Sequence, residues 1–226
     1  GYSNLTGNFK QAKNIISVGH TDSFGVVLSA SSKGPAFDGR VKPELVAFGE
    51  DGSSGAAALV SGTAAVLFQS YKDSHSGLQA SASLIKAVLI NSAEDAGTKG
   101  IDYSSGYGSL NAKKAVQTII DGRYFQGTVS NNGQKQFSLT IPAGIKQLKI
   151  SLVWNDAPAV PNSSKALVND LDIELVNATD NSIWLPWVLN AAPDSTALQQ
   201  PPVRKRDSLN VVEQITIDSP MAAPYI

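Results

Sequence analysis

Hydroxyl side chains follow a glycine at two places in the stretch GEDGSSGAAALVSGTAAV, residues Gly49–Val66. The first place is Gly52–Ser54 and the second is Gly62–Ala64, where the hydroxyl belongs to a threonine. A chain that turns on a glycine into a helix presents the next hydroxyl at the helix N-terminus. Backbone N–H groups there stabilise a developing oxyanion. Each place therefore predicts either a catalytic nucleophile or the close packing of a core helix.

Other reactive side chains are scarce. The chain has no cysteine, which excludes a thiol nucleophile, a thiolate metal site and a disulfide framework. It has two histidines, His20 and His75, so histidine-dependent chemistry within this chain has to use one of them. His20 follows a short strand pattern and His75 lies in a polar loop. We predict that both are surface histidines or histidines satisfied by hydrogen bonds in turns.

One acidic cluster has residue types that suit an ion: Asp156, Asn169, Asp170 and Asp172. Hard oxygen ligands of this kind are typical of calcium sites. Asp and Asn at strand ends also accept hydrogen bonds from backbone amides and so stabilise turns. We predict the turn role, and therefore no cofactor and no metal site, and calcium is the alternative.

Composition limits the classes of partner. The chain has 226 residues, 42% of them hydrophobic, with 18 basic and 19 acidic side chains. This balance has none of the excess positive charge that nucleic acids or anionic membranes attract, so we predict neither partner. The longest uncharged apolar run is too short and too rich in small residues to cross a bilayer.

The first half of the chain alternates short strands with helices, which predicts an α/β layer arrangement. Strands are predicted at Asn14–Val18, Phe24–Leu28 and Leu45–Phe48, and helices at Ser54–Tyr71, Ser81–Ala93 and from an N-cap at Asn111 to Ile120. Apolar residues lie nearly all round the first helix, which predicts burial on most of its sides.

The second half has apolar residues in alternating runs separated by turn residues, which predicts an all-β jelly-roll sandwich. Its predicted strands are Phe125–Val129, Gln136–Ile141, Gln147–Trp154, Leu167–Val176, Ser182–Trp187 and Leu209–Ile217. The composition changes near Asp121–Arg123. We therefore predict two domains, residues 1–122 and residues 123–226.

Several segments together resemble the C-terminal part of the catalytic domain of subtilisin-like serine proteases, the subtilase family. They are NIISVGHTDS (14–23), SSKGPAFDGRVKPELVAFG (31–49), GSSGAAALVSG (52–62) and YGSLNA (107–112). Each is weak alone, but their order along the chain makes the resemblance specific. It implies a partial subtilisin-like parallel sheet for the first half.

Two segments of the second half resemble the β-sandwich domain that follows the catalytic domain in an alkaline-protease branch of the family. They are LKISLVWNDAP (148–158) and LVNDLDIEL (167–175). This likeness agrees with the jelly roll predicted from the alternating runs.

The resemblance implies a secreted serine endopeptidase that acts on proteins or peptides, with Ser54 as its nucleophile. Ser53 and Gly52 would support the oxyanion. In this family the catalytic groups follow the chain order Asp, His, Ser. The Asp, the His and the oxyanion Asn are therefore expected upstream of Asn14, and this chain alone is predicted to be inactive. Gly62–Ala64 is assigned to packing.

Three departures from the family pattern favour an alternative, a degenerate non-catalytic subtilase whose sandwich binds a protein or a glycan. Gly55 and Ala58 replace the usual methionine and proline, and only Glu50 and Asp51 stand where a long loop is usual.

A sheet that lacks its other strands also leaves an exposed edge. We therefore predict that the chain dimerises through this edge.

Overall fold

The computed structural model describes residues 9–226, so the first predicted domain is described from Phe9 onward. Strands β1 (Val18–Thr21) and β2 (Leu45–Phe48) pair in parallel, with Val18 opposite Leu45. Three of the four residues in each strand are buried. The prediction of β2 is confirmed, whereas the strand predicted at Asn14–Val18 begins where that range ends.

Three helices follow the strands: α1 (Ser53–Ser74), α2 (Ala82–Ser92) and α3 (Ala112–Ile120). The hydroxyl of Ser81 accepts a hydrogen bond at 3.2 Å from the N–H of Leu84 and so caps α2. The side chain of Asn111 caps α3 in the same way, by accepting from the N–H of Lys114 at 2.8 Å. All three predicted helices are confirmed, and the first half has the predicted mixture of helix and strand.

Helix α1 is buried along one stripe rather than on most of its sides. The buried residues recur every three or four positions: Ala56, Val60, Thr63, Leu67 and Tyr71. Leu59 and Val66 are 47% and 51% exposed, and a Cβ on Gly62 would contact nothing within 4 Å. The predicted burial of α1 is therefore wrong for this chain, and so is the packing role of Gly62.

No helix within residues 9–226 has the length and apolarity to cross a membrane.

Residues 24–28 do not form the predicted buried strand: the chain turns after Asp22, and Val27 pairs with Thr21 of β1 only through an isolated antiparallel bridge. One carboxylate oxygen of Asp22 accepts hydrogen bonds from the N–H groups of Phe24 and Val26, both at 2.9 Å. Phe24 is 89% exposed as a result. The hydrogen bonds of this aspartate side chain thus close a turn, and only a single bridge remains of the strand pairing that the apolar run suggested.

The second half contains short antiparallel strands: β3 (Leu139–Thr140), β4 (Gln147–Val153), β5 (Leu175–Val176), β6 (Ile183–Trp184), β7 (Trp187–Val188), β8 (Val203–Arg204), β9 (Val212–Asp218) and β10 (Pro224–Tyr225). Only β4 and β9 pair over seven residues, and the other described pairs span two. The predicted jelly roll is not evident in these sheets. Alternation predicted where strands lie, but it does not determine which strands pair over long distances.

The larger hydrophobic core takes residues from both sides of Gly122, including Leu89, Ile119, Trp154 and Val212. The hydroxyl of Tyr107 also donates a hydrogen bond at 3.1 Å to the carbonyl of Val212. A smaller core lies wholly in the second half. The division into residues 1–122 and 123–226 stays a prediction.

The outer edge of β1, predicted to be exposed, is partly covered. The N–H of His20 donates to the hydroxyl of Ser31 at 3.0 Å. The carbonyl of His20 accepts from the N–H of Leu28 at 3.3 Å. Because these groups are already bonded, a second copy has fewer free backbone groups to pair with, and dimerisation stays a prediction.

Candidate active site

A closed turn of two residues joins the end of β2 to the start of α1. The N–H of Gly52 donates at 3.0 Å to the carbonyl of Gly49, with the exposed residues Glu50 and Asp51 between them. A Cβ on Gly49 would lie 2.0 Å from the carbonyl oxygen of Gly52. Gly52 itself has φ +69° and ψ −149°, a conformation that side chains with a Cβ rarely adopt. The turn therefore needs both glycines.

Ser53 and Ser54 are the first two residues of α1, and both are exposed. No side chain caps the helix, and the N–H of Ala56 makes the first bond of the helical type, at 3.2 Å to the carbonyl of Gly52. The N–H groups of residues 53–55 precede that bond and point out of the helix end. Within residues 9–226 the hydroxyl of Ser54 makes no hydrogen bond. This geometry suits a nucleophile beside oxyanion donors, but that role for Ser54 stays a prediction.

A cleft of about 280 Å³ runs along α1, beginning at Ala57. Its α1 wall consists of residues spaced three or four positions apart, which share one helix face: Ala57, Ser61, Ala64 and Phe68. Val18 of β1 and Ile85 of α2 line the opposite walls. Since Ser54 precedes Ala57 by three positions, it lies at the N-terminal end of the same face.

His20 lies beside this turn, where the sequence did not predict it. It is 6% exposed, within β1, and its Nδ1 is buried without a hydrogen-bond partner among residues 9–226. Its Nε2 lies 4.0 Å from the position that a Cβ on Gly52 would occupy. The prediction of a surface or satisfied histidine is therefore wrong. The neighbourhood arises because His20 pairs with Ala47 of β2, two residues before the chain turns at Gly49.

His75 has the predicted role of a histidine satisfied in a turn. Its Nδ1 lies 2.9 Å from the carbonyl oxygen of Tyr71, and its Nε2 lies 2.8 Å from the hydroxyl of Tyr124. The ring also stacks on Tyr71 at 3.9 Å. His75 follows the C-terminus of α1, about 30 Å along the helix from Ser54, so it takes no part in this site.

The hydrogen-bond partners of Asp156 satisfy its carboxylate without a bound ion. It accepts hydrogen bonds from the ammonium of Lys13 at 2.6 Å and from the N–H groups of Val168 and Asn169 at 2.7 and 2.9 Å. Burial alone would raise the pKa of Asp156, but these hydrogen bonds outweigh it and lower the pKa to about 2. The side chain thus holds the turn at residues 168–169.

The other two aspartates of the predicted acidic cluster face different cations. Asp170 lies 3.5 Å from the ammonium of Lys165, and Asp172 lies 2.9 Å from the guanidinium of Arg206. Within residues 9–226, no three acidic or histidine side chains are grouped so that they would hold a metal ion. The alternative of a calcium site at these residues has no assembled ligand set in the described chain.

A buried charge network lies at the residue that precedes β2. The sequence analysis did not predict it. One carboxylate oxygen of Glu44 lies 2.5 Å from the ammonium of Lys42 and 3.3 Å from that of Lys86. The other accepts from the N–H of Ser17 at 2.7 Å. Burial lowers the pKa of Lys42 to about 8 despite the adjacent carboxylate. The network ties the residue before β2 to α2 and to the segment before β1.

Comparison with known proteins finds a family similarity in the first half. The Subtilase family model matches residues 4–108. The serine protease/ABC transporter B family protein tagA of Dictyostelium discoideum is 29% identical over 247 residues, covering 85% of this chain and 14% of that protein. Residues 4–108 are thus similar to the subtilase family. The chain spans only a small part of the curated relative that it matches.

Solved structures of several proteases match parts of this chain at low identity and low TM-score. Tripeptidyl peptidase 2 has a TM-score of 0.40 and 21% identity, over 92% of this chain and 17% of that chain. The patellamide maturation protease PatA has a TM-score of 0.41 and 21% identity, over 49% and 45%. Fervidolysin from Fervidobacterium pennivorans, a keratinolytic enzyme related to subtilisin, has a TM-score of 0.37 and 16% identity, over 95% and 35%.

Proposed function

We propose that this chain is the C-terminal portion of a secreted subtilase-family serine endopeptidase that cleaves proteins or peptides with Ser54 as nucleophile. The observation that carries the proposal is the position of Ser54, exposed at the uncapped start of α1 within the segment that matches the family. Gly52 shapes the turn that brings the hydroxyl to the surface, and Ser53 adds a second hydroxyl beside it.

The proposed reaction is acyl transfer to a serine. The Ser54 oxygen attacks the carbonyl carbon of the peptide bond, the C=O π electrons move to the carbonyl oxygen, and the hydroxyl proton passes to a base. The N–H of Ser54 donates to the new oxyanion, and the partial positive charge of the helix N-terminus stabilises it. Collapse of this intermediate breaks the C–N bond as the base returns the proton to the departing amine, and an acyl group stays on Ser54 until water hydrolyses it.

His20 lies beside the turn but makes no hydrogen bond to the hydroxyl of Ser54, so we propose that the base comes from another part of the protein. His75 is at the far end of α1 and already bonded at both ring nitrogens. The family's chain order places its Asp and His before the Ser, so we propose that a preceding segment supplies them together with the oxyanion Asn. This chain alone is then inactive.

The surface of α1 supports such a preceding segment. The cleft of about 280 Å³ beside Ala57 and Ala64 is largely apolar, and Leu59 and Val66 are half-exposed. Apolar surface of this kind is stabilised by burial, at about 25 cal/mol per Å². We propose that the preceding segment packs into this cleft and brings the base to the Ser54 end.

Labelling with a fluorophosphonate, which phosphonylates activated serines, tests the proposal. We expect no labelling of the 226-residue chain and stoichiometric labelling of Ser54 in a longer protein that includes the preceding part of the gene product. Ser54→Ala in the longer protein should abolish labelling, and Ser53→Ala should retain it. Labelling of the longer protein that survives Ser54→Ala would reject Ser54 as the nucleophile.

A second function, a non-catalytic subtilase that binds a protein or glycan, is favoured by the closed turn before α1. The bond at 3.0 Å between Gly52 and Gly49 leaves only two residues where the family usually has a long loop. If the longer protein folds cooperatively but reacts neither with the probe nor with peptide substrates, this second function replaces the first.

A further inference from the structure

The sequence has the pattern Asn-x-Ser/Thr, which accepts N-linked glycans, at residues 4–6, 162–164 and 177–179. Residues 4–6 lie outside the part of the chain that the structure describes. The other two patterns lie in the second half and differ in exposure. The structure therefore distinguishes an asparagine that the folded chain presents to solvent from one that it does not.

The loop that carries Asn162 is fixed at its base. The ammonium of Lys13 donates hydrogen bonds to the carbonyls of Ala157 and Ala166, so one cation holds both ends of the loop. Residues 160–164, between those ends, are all exposed. The loop thus presents a short segment to solvent from a base that is bonded to the rest of the protein.

Asn162 lies at the tip of this loop. The N–H of Ser163 donates at 3.1 Å to the carbonyl of Val160 and closes a turn there. Asn162 has φ +66°, in the left-handed region that asparagine tolerates better than most residues. It is exposed, and its side chain makes no hydrogen bond within residues 9–226. Its amide nitrogen can therefore carry a large substituent that extends into solvent.

Asn177 is enclosed by the fold. It is 0% exposed, and its side-chain oxygen accepts a hydrogen bond at 2.8 Å from the N–H of Thr179. Its backbone N–H donates at 2.9 Å to the carbonyl of Ser182, and it forms an isolated bridge with Tyr225 of β10. A glycan is bulky and hydrated, so a chain that carried one on Asn177 could not form this packing.

We propose that Asn162 is a site of N-linked glycosylation and that Asn177 stays unmodified in the folded protein. The side-chain nitrogen of Asn162 forms a bond to C1 of the first sugar of a lipid-linked oligosaccharide diphosphate. The bond between C1 and the phosphate oxygen breaks, its electron pair leaves with the lipid diphosphate, and one amide proton passes to a base of the transferase. The inference rests on the secretion proposed above, because this transfer takes place in the secretory pathway.

A glycan at this position has a physical consequence for the loop. Val160, two positions before Asn162, is 76% exposed. Because N-linked glycans are bulky and solubilising, one on Asn162 shields this apolar side chain from contact with other proteins.

Expression of the 226-residue chain behind a secretion signal in a eukaryotic host tests the site. The secreted chain is treated with peptide-N-glycosidase in heavy-oxygen water, which converts a glycosylated asparagine into a labelled aspartate. Trypsin cleaves after Lys165 and so places Asn162 and Asn177 on different peptides for mass spectrometry. We expect label at Asn162 and none at Asn177. An unlabelled Asn162, or a labelled Asn177, would overturn the proposal.

Two variants of neighbouring serines make the test specific. Ser164→Ala removes the hydroxyl that the pattern requires and should abolish the label at Asn162. Ser163→Ala changes only the middle position of the pattern and is the matched control, which should keep the label. Label at Asn162 that survives Ser164→Ala would also contradict the proposal.

The readout at Asn162 is independent of the chemistry at Ser54. If the 226-residue chain is not secreted, the same peptides are taken from the longer protein that includes the preceding segment. Absence of fluorophosphonate labelling would reject the peptidase proposal and leave the glycan at Asn162 in place. A missing glycan together with labelled Ser54 would reject only the modification site.

Discussion

The ammonium of Lys13 lies 2.6 Å from the carboxylate of Asp156, so two residues 143 positions apart form one buried ion pair. Their side chains are 8% and 0% exposed. Lys13 also donates to the carbonyls of Ala157 and Ala166. The pair therefore fastens the segment before β1 to the loop after β4.

Breaking this pair should destabilise the whole chain. Asp156→Asn keeps the shape of the side chain but leaves the ammonium of Lys13 buried without its countercharge. We expect a loss of about 3–5 kcal/mol in the free energy of unfolding, measured with urea. The matched control is Asp170→Asn, which removes a half-exposed partner of Lys165 at 3.5 Å and should cost less than about 1 kcal/mol. Equal losses for the two variants would contradict the importance of burial here.

Lowering the pH should cause part of the same loss in the free energy of unfolding, because it protonates Asp156. The pKa of Asp156 is lowered from 3.8 to about 2, so its stabilising contribution is complete above about pH 4 and is lost as the pH falls towards 2. A shift of this size corresponds to about 2 kcal/mol. The difference in unfolding free energy between the wild type and Asp156→Asn should therefore narrow by that amount between about pH 5 and pH 2. A constant difference would show that the carboxylate is not the titrating group.

Glu213 should have the opposite pH dependence. It is 1% exposed, and burial, reinforced by nearby aspartates, raises its pKa from 4.5 to about 8, although the N–H of Ile173 donates to one oxygen. Its stabilising contribution is complete below pH 4.5 and is lost as the pH rises through 8.

Glu213→Gln keeps the acceptor for Ile173 and removes the charge. We expect its melting temperature relative to wild type to rise between about pH 5 and pH 9, because only the wild type has to bury a carboxylate at the higher pH. The exposed Glu50→Gln serves as control and should give a flat difference. If the melting temperature of Glu213→Gln fell relative to wild type over this pH range, the assigned direction of the Glu213 pKa shift would be wrong.

Two glycines of the same helical region should respond oppositely to alanine. Gly52→Ala places a side chain at φ +69° and should cost about 1–3 kcal/mol through backbone strain. Gly62→Ala lies inside α1 with open space around it and should stabilise by about 0.5–1 kcal/mol. Both are measured by urea unfolding. If Gly62→Ala instead destabilised the 226-residue chain, its face of α1 would have to be packed.

Local signals predicted the helices well. The N-caps at Ser81 and Asn111 act within three residues, so a short window contains the information that starts α2 and α3. The pairing of β4 with β9 joins residues about sixty to seventy positions apart along the chain and was not predictable from alternation. The turn at Asp22 was not predicted, because the hydrogen bonds of one aspartate side chain outweighed the strand preference of the apolar run that follows it.

The candidate site was predictable only in part. The resemblance of residues 52–62 to the family's nucleophile segment pointed to Ser54, and its role stays a prediction. His20 reaches the same turn through the parallel register of β1 and β2, which no local pattern records. The network at Glu44 was missed for a similar reason, since Lys86 comes from a helix 42 positions later.

The two-residue connection at Glu50 and Asp51 has a consequence for how this scaffold can change. Both residues point to solvent, and the bond that closes the turn involves only the flanking glycines. Closing a longer loop costs only about 0.6 kcal/mol for each doubling of its length. Insertions at this position are therefore a tolerated route by which variants of the protein can acquire a new recognition loop next to Ser54 while β2 and α1 stay in place.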